Sequence, residues 1–298
     1  MNVSMHITGP AVRLRRKAAR CIAAAVTVFV LTLTAPFVCA QPAMDLAQVY
    51  AREVDRRLEV PSSEQQAYAR MLAAALRQAD IAELLPQYIL LVDRSPKVQA
   101  AFVYWGPAED SWQFIGASPV STGRVGSYDH FLTPLGVFDH TPDNMDYRAE
   151  GTFNELGIRG YGVRGMRVFD FGWVMAERGW GTPGQSLMRL QMHATDPDVL
   201  DRWLGQAASK GCIRIPASLN ILLDRYGILD AEYEKAQAAG ENLWILRANR
   251  QPTPWAGRYL VVVDSERSVR PDWSPPPGGR KTADAGRSNF LSTCAIRR

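Results

Sequence analysis

Ser209-Lys210-Gly211-Cys212-Ile213-Arg214 places a thiol between two cations and directly after a glycine, and fifteen residues separate this run from His193 upstream. A thiol partnered by an imidazole suits acyl transfer near neutral pH, because the base takes the proton as the sulfur attacks a carbonyl. The expected roles are therefore Cys212 as nucleophile and His193 as its base. Gly211 leaves the backbone bare beside the sulfur, so the Gly211 and Cys212 amides are expected to approach a developing oxyanion. Residues two apart on an extended strand share a face, so Lys210, Cys212 and Arg214 are expected to point together unless Gly211 bends the chain. The two cations would then favour the thiolate, and the planar fork of Arg214 would grip a substrate carboxylate. A structural ion pair for Arg214 and a solvent-facing or substrate-contacting Lys210 are the alternatives.

These side chains need a frame to hold them. Residues 187–192 read as a strand that delivers His193, and residues 217–226 as a helix entered after Pro216 and stopped by Gly227. Short apolar runs between turn residues, at 88–92, 98–105 and 112–115, mark strands ahead of the site, with further strands expected at 243–247 and 259–263. Residues 44–86 carry a helical pattern in Tyr68, Met71, Leu72, Ala75, Leu76 and Ala79, and Ser63 with Gln66 matches a capping box. Between Gly151 and Gly184, glycines alternate with Phe153, Tyr161, Phe169, Phe171, Trp173 and Trp180. That texture fits strands broken by a long loop, either a lid over substrate or simply aromatic core. Beyond Ser265 the pattern loses periodicity, and disorder is expected.

The run from His193 to Arg214 resembles the catalytic domain of the L,D-transpeptidases, also called YkuD-like. In that family a His is followed, after about fifteen residues, by Ser-His-Gly-Cys, an apolar residue and Arg. Pro119-Val120-Ser121-Thr122-Gly123 and Thr133-Pro134-Leu135-Gly136-Val137-Phe138 look like the strand and turn that open the same domain, so the resemblance covers roughly residues 88–230. Two positions depart from it: Lys210 stands where a second His is usual, and Ala194 where a Gly commonly follows the base. The resemblance implies a mainly β, sandwich or barrel-like catalytic domain with peripheral helices. It also implies catalytic roles for Cys212, His193 and Gly211, substrate contacts from Ser209, Lys210 and Arg214, and no cofactor. The implied substrate is the peptidoglycan stem peptide, cross-linked through a cysteine thioester. A divergent branch with Lys at this place joins chains through the first stem residue, which points to an L-alanine to meso-diaminopimelate linkage. With water as acceptor the same chemistry trims stems as a carboxypeptidase or amidase. A non-catalytic wall-binding module is the alternative from another class. A sortase is disfavoured, because that family spaces its His, Cys and Arg much further apart.

Composition frames these readings. Forty-seven per cent hydrophobic residues and eight Trp in 298 residues argue for a substantial core. Arg13, Arg15, Arg16, Lys17 and Arg20 precede an apolar run from 21 to 35 and the small-residue site Val38-Cys39-Ala40, as in a signal peptide cleaved before Gln41. Export to the periplasm follows as an expectation, with an uncleaved anchor as the alternative. The apolar run is short for a membrane span, so no stable membrane insertion is expected after cleavage. Of 34 basic residues five fall in this leader, which leaves the remainder near neutrality against 30 acidic residues and gives no footprint for nucleic acid. The expected organisation is a signal peptide (1–40), a helical segment (41–86), the catalytic domain (87–265) and a disordered tail (266–298). Cys212 and Cys294 are the cysteines beyond the leader; a bridge between them is the structural alternative to a thiol kept for chemistry. His130 and His140 lack zinc-type spacing, so no metal is expected and both read as polar loop residues.

Overall fold

The computed structural model describes residues 35–81, 85–106 and 111–278. Along the chain lie α1 (Ala35–Glu53), α2 (Ser62–Gln78), β1 (Gln87–Asp93), β2 (Ala100–Gly106), β3 (Gln113–Pro119), β4 (Gly136–Asp139) and β5 (Tyr147–Arg148). They are followed by β6 (Arg167–Glu177), β7 (Gln185–Ala194), β8 (Ile213–Ile215), α3 (Ala217–Tyr226), α4 (Ala231–Ala238) and β9 (Tyr259–Val263). The strands form a five-stranded sheet ordered β3-β2-β1-β9-β4 and a four-stranded sheet ordered β5-β6-β7-β8. Both sheets are mixed: β1 with β9 and β7 with β8 are parallel, and the other pairs are antiparallel.

β1 and β2 are apolar on both faces, and each face has its own cover. Ile89, Leu91, Phe102 and Tyr104 meet Tyr68, Leu72 and Leu76 of α2. The alternate residues Tyr88, Leu90, Val103 and Trp105 share a core with Phe169, Leu190 and Met192 of the second sheet and with Leu219 and Leu222 of α3. Alternation along each strand thus yields layers, with the first sheet between α2 and the second sheet. Helix α1 joins the inter-sheet core through Leu46 and Tyr50. A Cβ at Gly116 would lie 2.4 Å from the Tyr50 ring, so only glycine admits that tyrosine, whose hydroxyl shares a 2.5 Å hydrogen bond with Ser118.

The strand-rich frame with peripheral helices agrees with the sequence, as do β1 to β3, β7, β9 and α3 with Pro216 at its N-cap and Gly227 at φ +57°. Four local expectations need correction. The 41–86 segment is two helices broken at 54–61, and it packs as a layer of one compact unit that begins at Cys39. The Ser63/Gln66 capping box does not form, because Pro61 occupies the N-cap and makes no side-chain cap bond. Residues 243–247 are turn rather than strand: Leu243 and Ile245 pack on Tyr233, and Arg148 takes the Ile245 carbonyl. The tail expected to be disordered from 266 is docked as far as Gly278, with Trp273 stacked edge-on against Phe102 and Tyr68 and Ser274 donating to the Val98 carbonyl at 2.6 Å. Most of the expected signal peptide (1–34) and residues 279–298, with Cys294, lie outside the described residues. Among those described, no helix is long and apolar enough to cross a membrane.

Candidate active site

Strand β7 ends in His193 and Ala194, and Cys212 stands immediately before β8. The parallel register sets His193 opposite Arg214 and Met192 opposite Ile213, so the two halves of the motif lie on neighbouring strands. Arg214 acts electrostatically on both His193 and Cys212, which marks the three as one cluster. Its backbone is fixed by a reciprocal 2.9 Å bridge to Ser121.

The turn that presents the thiol is clamped from the Pro119–Gly123 and Thr133–Phe138 motifs. The Ser209 N–H donates to the Thr122 carbonyl at 2.9 Å, the Ser209 carbonyl accepts the Arg124 N–H at 3.0 Å, and the Phe131 N–H donates to the Lys210 carbonyl at 3.0 Å. Thr133 Oγ1 donates to the Gly211 carbonyl at 2.7 Å and accepts the Gly123 N–H at 2.9 Å. Gly211 is required by its own conformation, φ +133°, and by Met188, whose Cε would lie 2.8 Å from an added Cβ. Its N–H, expected to face a developing oxyanion, donates to Ser209 Oγ at 3.0 Å. The Ser209 hydroxyl in turn donates to the Cys212 carbonyl at 2.5 Å, so this buried side chain, expected at the substrate, also braces the turn.

Lys210 departs furthest from expectation. Positive φ at Gly211 breaks the extended geometry that would have put Lys210 and Cys212 on one face, and Lys210 Nζ pairs with Asp129 at 3.1 Å on a solvent-exposed rim. Arg214 is thus the cation that favours the Cys212 thiolate.

His193 is 4% exposed. Its Nδ1 faces the Ala194 carbonyl at 2.8 Å, and a carbonyl only accepts, so Nδ1 carries the hydrogen and Nε2 keeps its lone pair. Burial, aided by the Arg214 charge, brings its pKa down to about 4. Cys212 is a free thiol that keeps some exposed surface while its sulfur sits deep; burial pushes its pKa up against the pull of the Gln191 N–H and Arg214. At rest the thiol and the imidazole are therefore both neutral, with the lone pair of His193 Nε2 unprotonated.

Tyr147, Gln191 and Asp170 escaped the sequence reading, whereas Tyr161 belongs to the aromatic stretch it singled out. Tyr161 lies over His193 with ring centroids 4.5 Å apart, and Tyr147 packs on Tyr161 while its hydroxyl donates to Gln191 Oε1 at 3.3 Å. The aromatic stretch thus divides: Phe169 and Phe171 are core, whereas Tyr161 is a half-open cover. Gln191 in turn donates to Asp170 at 2.8 Å. Behind Asp170 stands a buried ion cluster in which Arg167 binds Asp146 at 2.5 Å and Asp230 at 2.8 Å. His140, expected in a polar loop, is wholly buried in this cluster. Its nitrogens face Leu229 O at 2.8 Å and Asp146 at 2.9 Å, so both donate and the ring is an imidazolium. His130 is a loop residue that touches its neighbour's carbonyl at Tyr128. Among the described residues no cluster of His, Cys, Asp or Glu is arranged to hold a metal.

Comparison with protein-family models and with curated proteins finds no match for this chain.

Proposed function

We propose that this chain is an exported cysteine acyltransferase of the L,D-transpeptidase type that cross-links peptidoglycan stem peptides. The observation that carries the reading is a free thiol just before β8 beside the strand that ends in His193, both under the charge of Arg214, with His193 Nδ1 on Ala194 O so that Nε2 keeps its lone pair. In the first half-reaction Cys212 gives its proton to His193 Nε2 and its sulfur attacks a stem-peptide carbonyl. The imidazolium then protonates the departing amine, the C–N bond breaks, and an acyl thioester remains. In the second half an amine of another stem loses a proton to His193 and attacks the thioester, which releases the Cys212 thiol and forms the cross-link. Water in place of that amine turns the product into a trimmed stem.

Arg214, electrostatically coupled to both reacting groups, is suited to hold a stem carboxylate beside them. The Lys210 departure supports an atypical acceptor geometry, with the first stem residue joined to meso-diaminopimelate. Mass spectrometry of purified wall fragments incubated with the protein tests the proposal. New dimers support it and trimmed monomers support the hydrolytic variant. Unchanged fragments, or dimers formed equally by Cys212→Ala, reject it. N-terminal sequencing of the native protein tests export, with Gln41 expected as the first residue.

A further inference from the structure

A second cavity, of about 350 Å³, opens between residues 163–166, helix α3 and residues 247–250. Four arginines line it, Arg164, Arg225, Arg247 and Arg250, against a single acidic side chain, Asp224. That acid is already neutralised: Arg148 binds both of its oxygens and Arg167 approaches at 3.4 Å. Arg250 is 6% exposed and anchored by Asp230 at 2.9 Å and Glu234 at 2.7 Å, with its buried Nε left without a hydrogen-bond partner. Arg225 lies 3.8 Å from Glu53. Arg247 donates to the Gly165 carbonyl at 2.6 Å and makes no ion pair among the described residues. Gly165 leaves room for this guanidinium: it has φ +84°, and an added Cβ would fall 2.3 Å from Arg247 Nη2. Arg164 is exposed and has no acidic partner among the described residues.

We propose that this cavity binds a phosphate group. Two guanidiniums without a carboxylate converge there, and a phosphate monoester carries nearly two negative charges and oxygens that accept from several forks at once. A carboxylate, with one charge, would leave the cavity positive. The source is either free phosphate or a phospholipid headgroup, since both present the same oxygens.

The test is isothermal titration of the full chain with sodium phosphate, against sodium chloride at equal ionic strength and against sodium acetate. Saturable phosphate binding is expected, weakened about tenfold or more by Arg164→Gln and by Arg247→Gln. Arg164 makes no side-chain hydrogen bond or ion pair among the described residues, so an unchanged melting temperature of Arg164→Gln without phosphate certifies its fold. Absence of saturable binding, or equal affinity in both variants, overturns the site, and acetate binding as tightly as phosphate overturns its assignment to phosphate. Co-sedimentation with phosphatidic acid vesicles but not phosphatidylcholine vesicles, abolished by Arg164→Gln, supports the site with a headgroup as ligand. Phosphate binding without vesicle binding supports it with a soluble ligand.

Discussion

Proton location governs behaviour at the residue scale. Because burial raises the Cys212 thiol and lowers His193 to about 4, the chain holds its proton on sulfur across neutral pH. Iodoacetamide labelling of Cys212 is therefore expected to climb only on the alkaline side, with no plateau near neutrality, and Lys210→Met should superimpose on the parent curve because Asp129 holds that ammonium. A displaced curve would restore Lys210 as an electrostatic partner. For turnover of stem peptides, kcat/KM should hold through mildly acidic pH and fall towards the His193 value of about 4, where the base becomes protonated. Cys212→Ala and His193→Ala should each abolish turnover, read by product mass spectrometry, with circular dichroism showing an intact fold. That Cys212 and His193 come onto neighbouring strands was legible because their spacing is local in sequence. The fate of Lys210 was not, because it depends on one glycine torsion and on a carboxylate 81 residues away.

Elements position what residues perform. The thiol's turn belongs to no long strand; it is held by Thr133, whose hydroxyl bridges Gly123 N–H and Gly211 O. Thr133→Val keeps the shape but leaves two buried polar groups unpaired, so a loss of about 1–3 kcal/mol in denaturant unfolding is expected, together with a lower kcat at little change in KM. Gly211→Ala should be at least as harmful, since it adds strain at φ +133° to the clash with Met188. Strands such as β1 and β2 were readable from short apolar runs, and α3 from Pro216 and Gly227, because those signals are carried by the element itself. The capping box and the strand at 243–247 failed because a neighbour decides each outcome: Pro61 takes the cap, and Arg148 takes the carbonyl that a strand partner would need.

Over the whole molecule, two histidines pull pH stability in opposite directions. His193 falls from its ordinary 6.5 to about 4 on folding, so the unfolded chain binds that proton more readily; its contribution is present above pH 6.5 and is lost as pH drops towards 4. Burial opposes protonation of His140, yet Asp146 holds its pKa above 6.5, so its contribution is complete below 6.5 and disappears as pH rises through the elevated value. Asp146→Asn leaves His140 and Arg167 as buried cations short of a counter-charge and should cost about 3–5 kcal/mol, flattening the alkaline part of the stability curve measured by urea unfolding. Trp273→Ala should cost a similar amount, about 3–5 kcal/mol, although sequence periodicity offered no sign that the tail packs at all. The placement of β9 has a temporal meaning as well. This late strand is the hydrogen-bonded centre between β1 and β4, pairing residues near 90 with residues near 260. During synthesis the first sheet stays split into a β1–β3 meander and an orphan β4 until the ribosome has delivered almost everything described here, so the nascent chain has no complete fold to lock into prematurely.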